Sequence, residues 1–313
     1  MDENLKRLEQ LRRAAKKRLM LGLAGICLAS LLGLALGFFN VMDPTHTLVE
    51  KIVIPILVML IGFFFSFTLY MSLLYTPTLR RFNVEYAKSV VLATLGRRLD
   101  GLTYYSDKGI KLPLIEEAQL IERGNTYLCN DFVGGLSGDI AFSQCAAAVQ
   151  YRMRKSKNRT AIQPHFQGRW ILLEREGGFG TNLYVLSKHQ SDRPTACRPG
   201  PLAGMQAVST GDAAFDTDFE VYASGPRIVT DWLTPERKEG LRTLCAALDG
   251  KVLLAVRGKK LHIAIAGARN YLEGAIFRPV NEQTGADYLR EFEAALAFAN
   301  TLIPEASKAA HRG

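Results

Sequence analysis

The sequence predicts an α+β protein, with a two-helix transmembrane hairpin ahead of a cytoplasmic domain built on a mainly antiparallel sheet with flanking helices. Three observations predict it. Residues 19–39 and 52–75 contain no Asp, Glu, Lys, Arg or His. From Thr126 onward, short runs rich in aromatic and β-branched residues alternate with Gly- and Ser-rich turns, which is how strands joined in sequence look. Helical spacing brackets those strands, with Leu79, Phe82, Tyr86 and Val90 before them and Leu289, Phe292, Ala295 and Phe298 after.

The two apolar stretches come first in the argument. A bilayer core is crossed by about 20 apolar residues in helical rise, and both stretches reach that length. Lipid supplies the backbone with no hydrogen-bond partner, so helix is the conformation expected for each. Residues 1–18 carry Lys6, Arg7, Arg12, Arg13, Lys16, Lys17 and Arg18 against Asp2, Glu3 and Glu9, a net charge of +4. The connection at 40–51 holds Asp43, Glu50 and Lys51, a net charge of −1, and Arg80 and Arg81 follow the second span. Lys and Arg near span ends remain cytoplasmic. Both termini are therefore expected inside, in a multi-pass arrangement. Tyr70 and Tyr75 fall where aromatic rings favour the headgroup level, and Pro55 is expected in the first turn of the second helix.

Ala35-Leu36-Gly37 loosely resembles a cleavage site. The 21-residue apolar stretch that contains it is long for a signal core, and cleavage would leave the second span holding the rest on the same side. Within the first span, Gly25, Ala29, Gly33 and Gly37 recur every four residues, and Gly33–Gly37 is a GxxxG pair. The stripe suits close approach of the second span, or a homodimer through the first span.

Residues 76–313 carry +6 of the total +9 and form the cytoplasmic α+β domain, large enough for a sizeable core. That surplus is too small to argue for nucleic acid and suits a surface beside an anionic leaflet. Cys27, Cys129, Cys145, Cys197 and Cys245 include no C-x-x-C pair, so reduced thiols are expected.

Helix is expected from Thr76 to about Leu99, then an extended piece at 102–105 and a helix opened by Pro113. Strands are expected at 127–129, 139–153, 160–176 and 182–187, with turns at Gly134–Gly138, Lys155–Asn158 and a hairpin turn at Gly177–Gly180. Residues 190–213 are expected to loop over one edge. A strand at Phe215–Tyr222 precedes a helix begun by Thr234-Pro235, then a hairpin at 252–266, a last strand near Tyr271–Phe277 and a helix over Ala286–Ile303.

The ordered segments NDFVGGLSGDIAFSQ (130–144), HFQGRWILLE (165–174), FDTDFEVYAS (215–224), WLTPERKEGL (232–241) and KKLHIAIAG (259–267), behind two spans, resemble a bacterial membrane-protein family catalogued as a domain of unknown function, number 3137. The resemblance implies a bacterial inner-membrane location and a cytoplasm-facing domain. It also implies genetic proximity to LemA-like membrane proteins, one of which becomes a candidate partner. It supplies no catalytic residue. In relatives the segment matching Gly225–Leu233 carries an acidic residue and a Glu-Ala-Arg run; here it reads Gly225, Ile228, Val229 and Thr230.

Candidate chemistry is sparse. Asp131 and Asp139 flank a Gly-rich turn, where backbone preference explains them as well as paired-carboxylate chemistry does. His165 and His262 are 97 residues apart with no third ligand at recognisable spacing. G-x-S-x-G, H-E-x-x-H and Walker patterns are absent, so neither catalytic residues nor a cofactor or metal are expected. Arg152, Arg154, Lys155, Lys157 and Arg159 put five cations in eight residues, at a hairpin tip that is either solvated or touches anionic lipid or an acidic partner. The expected function is a membrane-anchored interaction or scaffold module. The alternatives are a membrane-surface lipid or small-ligand sensor, which needs a concave apolar pocket, and an enzyme with an unrecognised site.

Overall fold

The computed structural model describes residues 3–41, 47–156, 159–188, 197–281 and 283–303. Residues up to Val90 together with Leu272–Glu282 form one compact unit, and Val91–Tyr271 with the stretch from Gln283 onward forms a second.

In the first unit, α1 (Glu3–Asn40) joins the basic segment and the first apolar stretch in one helix. A capping box starts α2 (Leu48–Tyr70): the Thr47 hydroxyl accepts from Glu50 N, and the Glu50 carboxylate accepts from Thr47 N at 2.8 Å. That cap lies well before Pro55, so the proline falls inside the helix and not in its first turn as expected from the sequence. Gly37 faces it, and a Cβ there would sit 2.5 Å from Pro55 Cα. A π-helical turn, Met71–Tyr75, follows, with the Thr76 hydroxyl donating to Met71 O at 2.8 Å, and α3 (Thr76–Tyr86) continues. Among the described residues, two helices are long and apolar enough to cross a membrane.

The four-residue stripe meets α2 unevenly. Gly33 lies against Met59, where a Cβ would stand 3.5 Å from the Met59 Cα, whereas at Gly25 a Cβ would meet nothing within 4 Å. A step of four residues drifts by about 40° around a helix of 3.6 residues per turn, so the stripe leaves the contact line. Gly22 takes the place nearest Tyr70 instead, and the Tyr70 hydroxyl donates to Leu19 O at 3.2 Å. The segment 272–281 pairs with no strand, contrary to the strand expected at Tyr271–Phe277. Two of its backbone groups bond to helices: Arg12 Nη1 donates to Ile276 O at 2.8 Å, and Asn83 Oδ1 accepts from Gly274 N at 3.2 Å.

The second unit opens with α4 (Ala93–Leu95), β1 (Asp100–Tyr105), α5 (Leu112–Ala118), β2 (Thr126–Ser137), β3 (Ile140–Ser156), β4 (Arg159–Arg175) and β5 (Leu183–Ser187). It continues through β6 (Gln206–Val208), α6 (Ala213–Asp218), β7 (Phe219–Ala223), α7 (Pro226–Trp232), α8 (Pro235–Ala247), β8 (Lys251–Arg257), β9 (Lys260–Ala266) and α9 (Gln283–Thr301). Among the described residues, nine strands make one sheet, ordered β1-β2-β3-β4-β9-β8-β5-β7-β6 and antiparallel throughout. The expected α+β class with an antiparallel sheet and flanking helices is what the chain adopts.

Alternation puts Cys145, Ala147, Phe166, Trp170, Tyr184 and Ala264 on one face, in a core with Ile115 and Ala118 of α5. The other face carries α9, where the rings of Phe142 and Phe292 meet edge to face at 4.9 Å. The apolar run of β8 and that of β9, broken by His262, sit centrally and are buried on both faces.

Four local expectations give way. Gly134 and Gly135 lie within β2, and the chain turns at Gly138 instead. Gly177–Gly180 carries the chain from β4 to β5 and is no hairpin turn, because β9 and β8 lie between those strands. Ala213–Asp218 is helical, not strand. Asp212 caps it by accepting from Phe215 N, and Asp216 accepts from Thr210 and Ser209, so local side-chain bonds outweigh an alternating pattern. Finally, α7 occupies a stretch in which the sequence reading placed no helix.

Candidate functional site

A cavity of about 500 Å³ opens in the second unit between α5, the segment 119–125, the start of β2 and Pro201. Ligand pockets commonly span about 300–1,000 Å³. Leu112, Ile115, Ile121, Tyr127 and Val149 supply an apolar floor, and Gln119, Glu122, Arg123 and Asn125 a polar rim.

Local chemistry explains the concavity. Pro113 in the first turn of α5 presets the helix, and Gln119 ends it in the left-handed conformation at φ 54°. The chain then leaves the helix line and is tied down by a strap from the loop beyond β5. Glu122 N donates to Arg198 O at 2.9 Å, Arg198 N to His165 O at 2.8 Å, and Gly200 N to Leu120 O at 3.0 Å. The expected covering loop is thus partly a strap over the α5 face, while β6 forms the sheet edge; residues 190–196 of that stretch lie outside the described residues. Glu122 gathers charge at the rim, with His165 Nε2 3.8 Å and Arg198 Nη1 3.5 Å from its carboxylate.

Beneath the rim, Tyr127 donates to Ile110 O at 2.9 Å, and burial pushes its phenol pKa upward. The Cys129 and Cys145 sulfurs stand 2.9 Å apart. The contact with Cys129, then burial, raises the Cys145 thiol.

The cleft adjoins the basic hairpin. β2 stops pairing with β3 at Thr126↔Gln150, so β3 and β4 run on beyond it as a two-stranded ribbon. Asn125 pins the base of this ribbon: its Oδ1 accepts from Arg152 N at 2.7 Å and its Nδ2 donates to Arg152 O at 2.8 Å. Arg152 and Arg154 are exposed on the ribbon, as are Tyr151, Met153 and Ile162. Lys157 lies outside the described residues, and only the backbone of Lys155 and Arg159 is described.

The other sequence candidates do not converge. Asp131 sits at a bulge in β2 at φ 57°, accepting from Tyr104 at 2.9 Å, Asn130 at 2.7 Å and Asn270 at 3.0 Å. Asp139 pairs with Arg175 at 2.6 Å. His262 is fully buried; its Nδ1 accepts from Trp170 Nε1 at 3.4 Å. Among the described residues, no group of three His, Cys, Asp or Glu is arranged to hold a metal. A buried ion pair, Arg169 with Glu291, joins β4 to α9, and Tyr271 donates to Glu291 at 2.6 Å. It lies on the α9 face of the sheet, opposite the cleft. The residues missed from sequence are Gln119, Glu122, Asn125 and Arg198, for which the signals were a polar run after a short helix and the Arg198-Pro199-Gly200-Pro201 strap.

Fold and site together define a class: a nine-stranded antiparallel sheet domain with a cleft and a projecting ribbon, in a chain with two apolar N-terminal helices. Residues 164–303 match the family model described as Protein of unknown function (DUF3137), the family whose resemblance the sequence carries. No curated protein matches the chain. Among solved structures, the chain is similar to the mycobacterial trehalose monomycolate transport factor A, TtfA, at 11% identity and a TM-score of 0.36, over 72% of this chain and 96% of that chain.

Proposed function

We propose that this protein is a cytoplasm-facing interaction module anchored in the bacterial inner membrane by α1 and α2, and that the β3–β4 ribbon is its contact surface. The observation that carries this reading is the ribbon. It runs past the end of β2, exposes Tyr151, Met153 and Ile162, and carries Arg152 and Arg154. Exposed apolar side chains, Tyr151 and Met153 on one face and Ile162 beside Arg152 and Arg154 on the other, favour a protein partner that grips the ribbon from both sides.

The test is purification of the full chain from native membranes in mild detergent, beside the variant Tyr151→Ser/Met153→Ser/Ile162→Ser. A stoichiometric companion is expected with the parent, a LemA-like membrane protein foremost, and about tenfold less of it with the variant, since an interface anchor is worth upwards of 1 kcal/mol. Equal recovery from both, or a parent without a companion, defeats the reading. The latter result favours a second one, in which the cleft holds a small amphipathic ligand over Leu112, Ile115 and Ile121. Asn125 would then link ligand and ribbon, because it lines the cavity and holds both backbone groups of Arg152.

A further inference from the structure

We infer that the first unit carries a binding groove for the headgroup of an anionic phospholipid, with Arg18 and Arg81 as its phosphate ligands and Arg7 adding positive charge further along α1. This inference rests on the reading of α1 and α2 as membrane spans.

The groove, about 460 Å³, lies between α1, the π-helical turn and α3. Arg7, Leu11 and Arg18 recur along one side of α1 at spacings of four and seven residues, which keeps them on one helical face. Arg81 and Glu85 face them from α3. Three arginines against one carboxylate leave the lining with a surplus of two positive charges. The neighbouring arginines are already occupied: Arg12 and Arg13 both pair with Glu9, at 2.6 and 3.2 Å. Arg7, Arg18 and Arg81 make no ion pair among the described residues. Arginine stays charged near neutral pH and attracts the phosphate through that charge, as lysine does.

Position argues for a lipid over a soluble anion. Arg18 immediately precedes the first uncharged stretch, and Leu73 belongs to the second. Leu11 and Leu73 line the same groove at 38% and 62% exposure, an apolar wall that no other part of the described chain covers. A phospholipid satisfies both halves, with phosphate on the guanidiniums and acyl chain along Leu73. An acidic peptide would satisfy the charge and leave the apolar wall in lipid. Clusters of Lys and Arg at the cytoplasmic end of a span attract anionic headgroups.

The experiment is native mass spectrometry of the full chain in mild detergent, titrated with phosphatidylglycerol or with phosphatidylcholine. The parent is expected to retain one phosphatidylglycerol at about tenfold lower lipid concentration than phosphatidylcholine. Arg18→Gln/Arg81→Gln is expected to lose that preference, while Arg18→Lys/Arg81→Lys keeps most of it and Arg227→Gln/Arg290→Gln, at exposed arginines of the sheet unit, keeps all of it. The lysine variant shows that a loss reflects charge and not misfolding. Equal retention of the two lipids by the parent, or an unchanged preference in the glutamine variant, overturns the groove. So does displacement of the bound lipid by glycerol phosphate or polyglutamate at equal concentration. Alkaline carbonate washing of membranes separates the two failures. A chain that washes off refutes the spans and the groove with them, whereas a chain that stays without lipid preference refutes the groove alone.

Discussion

His262 is a titratable group with almost no access to water. It is fully buried in β9 with Trp170 beside it, and its Nε2 has no partner among the described residues. Burial first, then the charges of Lys260 and Arg257, pushes its pKa from 6.5 down to about 3. Between those two values the unfolded chain binds a proton that the folded chain refuses. Stability therefore falls as the pH drops through that window. Unfolding of the full chain in detergent, followed by tryptophan fluorescence, is expected to show a midpoint that declines from pH 6.5 to 4.5. In His262→Gln, which cannot titrate, the decline over the same interval is expected to flatten. Parallel curves for parent and variant would mean that His262 stays neutral in both states, or charged in both.

At the scale of elements, helices with local caps were the most legible parts. Thr234-Pro235 starts α8 where the sequence says, because the Thr234 hydroxyl accepts from Arg237 N. The central strands were equally plain, but their depth was not. His262 reads as half-buried until both sheet faces are seen to be covered, and a run apolar on both faces cannot announce which neighbours cover it. The cleft was illegible for a related reason: Gln119, Asn125 and Arg198 become one site only through long-range backbone bonds. The small-residue stripe illustrates spacing against geometry. Gly37→Val would drive a Cβ to 2.5 Å from Pro55 Cα, whereas Gly25→Val would place one in open space. Overpacking costs about 1–3 kcal/mol, so Gly37→Val is expected to lower the melting temperature of the full chain in detergent by several degrees. Gly25→Val is expected to leave it unchanged. A drop for Gly25→Val alone would point to a second copy packed on that face.

At the scale of the whole molecule, the partner and lipid proposals depend on which side of the membrane the chain presents. Charge supplies the argument: Lys and Arg outweigh Asp and Glu by four ahead of the first apolar stretch, the connection carries −1, and Arg80 and Arg81 follow the second stretch. The short connection makes this bias decisive, since only charges close to the span ends count. With the native cysteines replaced, a single Thr45→Cys in the connection is expected to react with an impermeant maleimide on intact spheroplasts. A single Arg227→Cys, at a side chain 94% exposed in the sheet domain, is expected to react only after lysis. The reverse pattern would move the arginine groove to the outer leaflet and the ribbon away from every cytoplasmic partner, so one labelling experiment bears on both proposals. Labelling of both sites before lysis would mean that the chain crosses once or not at all, and the apolar surfaces of α1 and α2 would then need a cover other than lipid.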